Sequence, residues 1–366
     1  MSLQPIPTRK LGKNGPSVSA VGLGAMGMGA FYGKSDEKES LETLTYAADR
    51  GVTFWDTAFI YGNSLCLPLA FATHTDLSPP KPGESIIGKW FTETGRRSEI
   101  FVATKFAMVK SLTDPTTDSS PSAVRAQFKK SLENLQTNYV DLYYQHRVDP
   151  DVPVEVFLET LRPFVESGQI KWIGLSEPSI ATLKRAKAVK GIGEKVIAAQ
   201  MEYSPFELYV EKTGFADAIN EAGMAIVAYS PLARGLVTGR YHSPDDFEEN
   251  DFRRLLPRFT EENFPKNLEV VKELETIAKK YKVTTSQITL AWILAEHPNF
   301  IPIPGIRSVA RVEENAHAAE IELSPDDVKA IRAVVESAEV HGARYPEAFM
   351  PPGDCISLSE YKGEQP

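Results

Sequence analysis

Eight short apolar runs, each followed by a stretch with helical periodicity, limit the possible folds of this chain more than any other feature. The runs are rich in β-branched and aromatic residues, and their alternation with helices predicts repeated βα units around a parallel sheet. In chain order they are VSAVGLG, TFWDTA, IFVATKF, VDLYYQH, IKWIGLS, VIAAQME, AIVAYSP and FIPIPGI. Eight such units predict a closed α/β fold, the (β/α)8 barrel of the TIM type.

The remainder of the chain gives no sign of a second domain. No Ser/Gly-rich linker or shift of composition divides it, so residues 1–366 are predicted to form a single barrel domain. A β-hairpin is expected before the first barrel strand. Residues 340–366 are expected to form a C-terminal extension that lies as a loop at the barrel mouth.

Residues 64–84, SLCLPLAFATHTDLSPPKPGE, interrupt the alternation of strands and helices. They have neither helical nor strand periodicity and end in a proline cluster, which predicts an inserted loop. Loops longer than about 12 to 15 residues are uncommon, and are usually functional lids or disordered insertions. The sequence leaves open whether this loop is a lid, a neutral insertion or an artefact of the gene model.

Composition excludes several classes of function. The net charge of -9, from 40 basic and 49 acidic residues, argues against general affinity for nucleic acid or an anionic membrane. The cysteines, Cys66 and Cys355, form no metal-binding or disulfide pattern, and the six histidines are scattered, so no metal is expected. The first residues lack a signal-peptide pattern, and no long apolar run follows. The chain is predicted to be cytoplasmic.

Three glycines near the N-terminus, Gly22, Gly24 and Gly27, have the GxGxxG spacing of many dinucleotide-binding domains. That site needs a helix beginning inside the motif and an acidic residue at the end of the next strand. Here MGAFYGKS separates Gly27 from the next predicted helix, and Asp49 falls within that helix. We therefore interpret the run as a glycine-rich strand end at the barrel mouth, where the backbone passes close to another group.

Four ionisable residues lie at or just beyond the ends of three successive predicted strands. They are Asp56, Tyr61, Lys105 and His146. Each alone has a structural interpretation: the lysine could be solvated, the aspartate could cap a turn, and a single histidine is more often satisfied in a core. Because parallel barrels carry their active sites at the carboxyl ends of the strands, the four together predict an active site.

With these residues in place, the chain resembles the aldo-keto reductase family over nearly its whole length. The family's motifs occur in order as GVTFWDTAFIYG, VATKF, DLYYQHRVDP, IKWIGLSE, AIVAYSPLARG and IPIPGIRSVARVEENA. The resemblance is to the group whose fourth strand ends in QHRVDP. It implies that Asp56, Tyr61, Lys105 and His146 form the catalytic tetrad. It also implies a reversible reduction of aldehydes or ketones to alcohols with a nicotinamide cofactor.

The chemistry of the four side chains agrees with that role. A hydride that reaches a carbonyl carbon leaves a developing alkoxide, which needs a positioned proton donor. Tyr61 can supply the proton, because a nearby Lys105 ammonium would lower its pKa from the usual value of about 10. Asp56 would keep the buried lysine charged, and His146 would hydrogen-bond the carbonyl oxygen.

The segment IPIPGIRSVARVEENA predicts an anion site after the eighth strand. Gly305 allows close approach of the backbone, and Ser308 begins a helix whose free N–H groups attract phosphate. Arg307 and Arg311 add guanidinium donors, and barrels commonly bind phosphate in this region. Standing alone, the segment would be interpreted as a surface helix start with two solvated arginines. The resemblance places the adenosine phosphate beside Arg311, which favours NADP(H) over NAD(H).

The resemblance implies further contacts along the cofactor. Ser176 and Gln200 would hold the nicotinamide carboxamide, and the ring of Tyr229 would stack on the nicotinamide. Glu177 stands where the family has asparagine, and it is assigned no contact because a carboxylate cannot donate a hydrogen bond. The expected cofactor residues are Gly24, Ala25, Met26, Asp56, Ser176, Gln200, Tyr229, Ser230, Leu232, Arg234, Gly305, Ile306, Arg307, Arg311, Glu314 and Asn315.

The expected partner is a small carbonyl substrate in a monomer or weak homo-oligomer. Met26, Phe31, Tyr32 and RYPEAFM (344–350) would surround the substrate, and their aromatic character suggests an apolar pocket. Two alternatives stay open: an NADPH-binding regulatory subunit on the same barrel, and a Schiff-base aldolase that uses Lys105. The tyrosine and the phosphate site speak against the aldolase.

Overall fold

An antiparallel hairpin precedes the barrel in the computed structural model, which describes residues 5–29, 36–62, 83–106, 117–249 and 251–366. Its strands are β1 (Thr8–Lys10) and β2 (Ser17–Ser19), in the register Thr8↔Ser19. Arg9 donates from Nη1 to the carbonyl oxygens of His297 and Phe300, at 2.7 and 3.2 Å. The hairpin is thereby fixed beside the start of the last barrel strand, so the expected hairpin is confirmed.

Eight parallel strands form the barrel wall, each paired with the next along the chain. The predicted fold class is therefore confirmed. The strands are β3 (Leu23–Gly24), β4 (Phe54–Asp56), β5 (Phe101–Phe106), β6 (Val140–Gln145), β7 (Ile170–Ser176), β8 (Val196–Glu202), β9 (Ala225–Tyr229) and β10 (Phe300–Ile303). One prediction needs correction, because the run VSAVGLG is not a single strand. Its start belongs to β2, which pairs with β1, and only Leu23 and Gly24 join the barrel.

The barrel closes where β3 meets β10. Gly22 donates its N–H to the Pro302 carbonyl at 2.9 Å, and Gly24 forms a parallel bridge with Gly305. A Cβ on Gly24 would lie 2.9 Å from the Ile303 carbonyl oxygen, closer than a real Cβ comes to such an atom. Two of the three motif glycines thus serve the strand seam, as the interpretation of a close backbone approach requires.

Helices surround the barrel wall and pack their apolar faces against it. Trp90 lies edge-on to Trp55 of β4 with ring centroids 4.8 Å apart, and Phe157 stacks on Phe106 of β5 at 5.1 Å. The helices are α1 (Met26–Gly29), α2 (Glu37–Asp49), α3 (Gly83–Thr94), α4 (Pro121–Leu135), α5 (Val154–Glu166), α6 (Ile180–Ala188), α7 (Tyr209–Lys212), α8 (Phe215–Glu221), α9 (Asn263–Tyr281), α10 (Thr285–Glu296), α11 (Val309–His317) and α12 (Pro325–Ser337). None of those within the described ranges has the length and hydropathy to cross a bilayer.

The interior of the barrel is filled by a separate set of side chains. Phe54, Leu142, Tyr144 and Ile301 pack together with Leu11 of the hairpin turn, all fully buried. The hairpin therefore seals the end of the barrel at which the strands begin. The opposite end, where the strands terminate, is left for ligands, as in other barrels of this type.

The C-terminal segment after α12 lies across that open end. The Gly353 carbonyl accepts a hydrogen bond from the Ser179 N–H at 2.8 Å, and the Ile356 N–H donates to the Pro150 carbonyl at 2.9 Å. Near the end of the segment, Glu364 pairs with Arg125 of α4 at 2.6 Å. The contacts join the segment to the loops that follow β6 and β7, and the expected C-terminal loop at the mouth is confirmed.

The predicted loop of residues 64–84 ends earlier than expected, because Gly83 and Glu84 already belong to α3. Residues 64–82 lie outside the described residues, as do Phe31 and Tyr32. The flanking backbone is informative: the Gly83 N–H donates to the Tyr61 carbonyl at 2.7 Å. Between them, Gly62 has a φ of 82°. The chain thus departs and returns at one point, next to the predicted proton donor.

Removal of residues 64–82 should leave the barrel intact. Joining Asn63 to Gly83 would make a four-residue turn of Tyr61, Gly62, Asn63 and Gly83. The hydrogen bond that closes such a turn, from the N–H of the fourth residue to the carbonyl of the first, already exists. Gly62, the second residue, has the positive φ of a hairpin turn. We expect a melting temperature within a few degrees of the parent, measured by circular dichroism. Insolubility or early melting of the shortened chain would refute this expectation. Unchanged turnover would exclude a lid role.

Candidate active site

A cavity of about 870 Å³ opens at the carboxyl ends of the strands. It contains both groups of residues predicted from the sequence: Tyr61 and His146 at one end, and Arg307 and Arg311 at the other. Of the predicted cofactor residues, all but Ser176 and Ile306 line it. The side chain of Ile306 is instead fully buried in the core, and its N–H donates to the Gly24 carbonyl at 3.1 Å.

The floor of the cavity holds a buried ion pair. Lys105, on β5, is 0% exposed, and its ammonium donates to Asp56 of β4 and to the Thr57 carbonyl, the latter at 2.7 Å. The second carboxylate oxygen of Asp56 accepts from Gln200 Nε2 at 2.8 Å. Burial lowers the pKa of Lys105 and raises that of Asp56, while each charge stabilises the other. These contacts fix the lysine ammonium beside Asp56, which lines the cavity.

Tyr61 and His146 stand above this pair. The Lys105 ammonium lies 5.3 Å from the centroid of the Tyr61 ring, and the Tyr61 and His146 rings meet edge to face at 5.9 Å. Burial, together with the charges of Arg147 and Lys105, holds the pKa of His146 well below its ordinary value, so the imidazole is neutral at neutral pH. Its Nδ1 has no hydrogen-bond partner among the described residues. The structure thus brings together all four predicted residues.

The residues predicted at the nicotinamide end are already connected to one another. Ser176 Oγ donates to the Gln200 carbonyl at 3.3 Å and accepts from Arg147 Nη1 at 3.1 Å. Tyr229, at the end of β9, donates its hydroxyl to Glu177 at 2.9 Å. The ring of Tyr229 faces the cavity, as stacking on a flat ligand requires.

Glu177 holds the C-terminal segment in place. Its two carboxylate oxygens each accept from the guanidinium of Arg344 at 2.8 Å, and Oε1 also accepts the Glu202 N–H at 3.1 Å. Burial opposes its charge, but the hydrogen bonds and the charge of Arg344 hold its pKa below the ordinary value. The carboxylate that replaces the family's asparagine therefore binds protein groups. No local motif identifies Arg344 as the partner of Glu177. The sequence showed only that RYPEAFM, expected near the substrate, begins with an arginine.

The far end of the cavity has the features of a phosphate site. A Cβ added to Gly305 would meet nothing within 4 Å, so the backbone there faces open space. Ser308 precedes α11 with an extended backbone and makes no side-chain hydrogen bond to the helix start, which leaves the first N–H groups of α11 for a ligand. Arg307 and Arg311 lie beside it.

Glu314 and Asn315, at this end of the cavity, differ in whether protein groups satisfy their side chains. Glu314 is engaged by protein donors: Arg311, Arg240 at 3.0 Å and Thr284 at 2.9 Å. Asn315 is 1% exposed, and neither its oxygen nor its nitrogen has a hydrogen-bond partner among the described residues. A buried amide with both functions unsatisfied is costly unless a ligand completes it. The edge of an adenine ring offers the matching donor and acceptor, so the residues present fit a dinucleotide.

The loop after β9 joins the two ends of the cavity. Ser230 and Arg234 have left-handed backbone, with φ of 49° and 55°, and both line the cavity with Leu232. The guanidinium of Arg234 is bound by Glu202 at 3.1 and 3.2 Å. Arg234 therefore reaches any cofactor as a member of an ion pair, which the sequence motif did not indicate.

An eight-stranded parallel barrel with a buried Lys–Asp pair below a tyrosine and a histidine defines a class of barrel oxidoreductases. The chain belongs to the aldo/keto reductase family, whose sequence model matches residues 20–336. It is 44% identical to aldo-keto reductase str7 of Strobilurus tenacellus over 93% of this chain and 95% of that one. The aldo-keto reductase yakc [NADP(+)] of Schizosaccharomyces pombe is also 44% identical, over 93% and 95% of the two chains.

A solved structure agrees with this assignment. The thermostable aldo-keto reductase Tm1743, crystallised with the inhibitor epalrestat, superposes with a TM-score of 0.68 and 28% sequence identity. The match covers 90% of this chain and 100% of the other. The family predicted from the sequence motifs is therefore confirmed.

Loss of one partner of the Glu177–Arg344 pair should destabilise the fold more than loss of both charges. Arg344→Met leaves a buried carboxylate unpaired, which costs about 3 to 5 kcal/mol. The double variant Glu177→Gln with Arg344→Met leaves no such charge. We expect the single variant to unfold at lower urea concentration than the double variant, as followed by tryptophan fluorescence. Equal midpoints would show that the ion pair does not govern this contact.

Proposed function

We propose that the protein reduces aldehydes or ketones to alcohols with NADPH, reversibly, and that Tyr61 donates the proton. The observation that carries the proposal is the position of the Lys105–Asp56 pair directly beneath Tyr61, within a cavity whose other end has the features of a phosphate site. The family assignment and the NADP(+) name of the yakc relative support it. We further propose that the protein acts in the cytoplasm as a monomer or weak homo-oligomer.

The site residues divide the chemistry among them. NADPH, when bound, supplies a hydride to the carbonyl carbon. The Tyr61 hydroxyl gives a proton to the oxygen that becomes negative, and the ammonium of Lys105 stabilises the phenolate left behind. Burial lowers the pKa of Lys105, and the charge and hydrogen bond of Asp56 oppose that lowering and so favour the ammonium. The neutral imidazole of His146 donates a hydrogen bond that orients the carbonyl oxygen.

The remaining residues would hold the cofactor. Ser176 and Gln200 would contact the carboxamide, and Tyr229 would cover one face of the nicotinamide. The N–H groups at the start of α11 and the side chains of Arg307 and Arg311 would bind the phosphate that distinguishes NADP(H). Asn315 would pair with the adenine edge, which satisfies its two orphaned atoms. Glu314 would steady the arginine it already binds.

The proposal is tested by turnover with NADPH and with NADH over a panel of aldehydes and ketones. We expect steady oxidation of NADPH and weaker use of NADH. Tight binding of NADPH without turnover of any carbonyl compound would overturn the proposal and favour a regulatory subunit. Borohydride trapping of a substrate on Lys105 would favour the aldolase.

Arg311 should determine the preference for the phosphorylated cofactor. Since a charge-assisted hydrogen bond is worth about 1.5 to 3 kcal/mol, Arg311→Met should weaken NADPH binding by roughly 10- to 100-fold. Binding of NADH should change by less than about twofold, because it lacks the phosphate. Fluorescence titration measures both constants. Arg162→Met removes a surface arginine paired with Glu159 and serves as the control. Equal weakening of both cofactors would contradict the assignment.

Tyr61 should be essential for turnover and dispensable for binding. Tyr61→Phe removes the proton donor and keeps the ring, so kcat should fall by about 10²- to 10⁴-fold. The dissociation constant of NADPH should stay within about twofold of the parent's. Tyr209→Phe, which removes a hydroxyl from a side chain 46% exposed and outside the cavity, is the matched control. A Tyr61→Phe variant that works at nearly the parental rate would refute the mechanism.

A further inference from the structure

The cations around the cavity are not all neutralised. Most have a carboxylate partner within 4 Å, and Arg147 has none among the described residues. Arg147 is the residue after His146 in the chain, and both residues line the cavity. The paired cations include Arg234 with Glu202, Arg253 with Asp251 and, below the floor, Lys105 with Asp56; Arg240 and Arg311 both pair with Glu314.

The hydrogen bonds of Arg147 use only one end of its guanidinium. Nη1 donates to the His146 carbonyl at 2.8 Å and to Ser176 Oγ at 3.1 Å. Both acceptors are neutral. The described protein groups therefore leave the other guanidinium nitrogens of Arg147 without a hydrogen bond. A guanidinium has five donors in a fork that matches a carboxylate.

The nearby carboxylates are committed elsewhere. Glu177 acts on Arg147 through its charge, but both of its oxygens are bound by Arg344. Asp149 follows in the same loop, and its oxygens accept the N–H groups of Ser119 and Asp151, at 2.6 and 2.9 Å. Two guanidinium groups thus share one carboxylate, and a positive charge remains at the cavity wall. An unpaired cation in such surroundings is costly, so a bound anion would be strongly favoured.

We propose that Arg147 binds a carboxylate of the substrate, so that the preferred substrates are oxo acids, carbonyl compounds that carry a carboxylate near the reacting carbon. The proposal rests on the proposed reductase function. Arg147 is the chain neighbour of His146 and folds back on its carbonyl, which keeps the guanidinium close to the place where His146 would hold the substrate oxygen. Tyr345, Phe349, Met350 and Pro351 of the C-terminal segment line the same cavity and suit an apolar substituent.

The reaction of such a substrate balances without further reagents. The carbonyl carbon gains a hydride from NADPH, and the carbonyl oxygen gains the proton of Tyr61. The products are a hydroxy acid, NADP⁺ and a tyrosinate that recovers its proton from solvent. The substrate carboxylate stays ionised and unchanged, and its role is to fix the molecule against Arg147.

Phenylglyoxylate and its methyl ester are probes that differ in this charge, and their other differences cancel when the ratio of their rates is compared between variants. We compare the ratio of their kcat/KM values in the parent, in Arg147→Met and in the control Arg162→Met. Loss of a charge-assisted hydrogen bond should lower the acid-to-ester ratio of Arg147→Met by about 10- to 100-fold. The control should keep the parental ratio, and Arg147→Lys, with its charge but no fork, should lie between.

A ratio in Arg147→Met within about twofold of the parent's would overturn the proposal. This includes the case in which both probes are affected equally and NADPH binding weakens, since Arg147 would then serve the cofactor carboxamide through its contact with Ser176. Benzoate binding, measured by calorimetry with and without NADP⁺, gives a readout without turnover. The parent should bind benzoate and Arg147→Met should not, whereas absence of this difference counts against the proposal. Failure of the parent to oxidise NADPH with any carbonyl compound would instead refute the reductase function.

Discussion

The closure of the barrel at Gly24 is the constraint on which the whole site depends. On one side Gly24 pairs in parallel register with Asp56, the residue that binds the ammonium of Lys105. On the other side it bridges to Gly305, where the backbone faces open space at the proposed phosphate site. No side chain fits at this position, because a Cβ would lie 2.9 Å from the Ile303 carbonyl oxygen. One residue without a side chain therefore joins the strand that carries Asp56 to the segment that carries Gly305.

The buried charges next to this seam are not explained by stability alone. A buried ion pair contributes little net stability, since desolvation of both groups offsets their attraction. Lys105 and Asp56 are nevertheless 0% and 2% exposed, and the pair uses additional hydrogen bonds from Gln200 and to the Thr57 carbonyl. An apolar pair would fill the same space more simply. The structure thus maintains an ammonium under Tyr61, where it can act on the phenol.

Strand positions and the convergence of Asp56, Tyr61, Lys105 and His146 were predictable because both follow from local pattern. Composition marks each strand, and parallel strands bring their carboxyl ends to one mouth, so Asp56, Lys105 and His146 had to converge. Contacts that depend on distant segments were not predictable. Glu177 and Arg344 are 167 residues apart, and nothing near either one specifies the other. Ile306 was expected to contact the cofactor. Its N–H instead donates to the Gly24 carbonyl at the barrel closure, and its side chain is buried in the core.

Glu177, at a position where the resemblance implies asparagine, joins the two walls of the cavity. Its carboxylate receives the Tyr229 hydroxyl, on the side predicted to face nicotinamide, and the Arg344 guanidinium, on the segment that carries Tyr345. An asparagine could not neutralise Arg344, and the segment would lose its buried anchor. Because one carboxylate supports both the Tyr229 ring and the wall facing the substrate, a change in the C-terminal segment that moves Arg344 also alters the support of Tyr229. The position of the C-terminal segment and the support of the Tyr229 side chain are thereby coupled through one carboxylate.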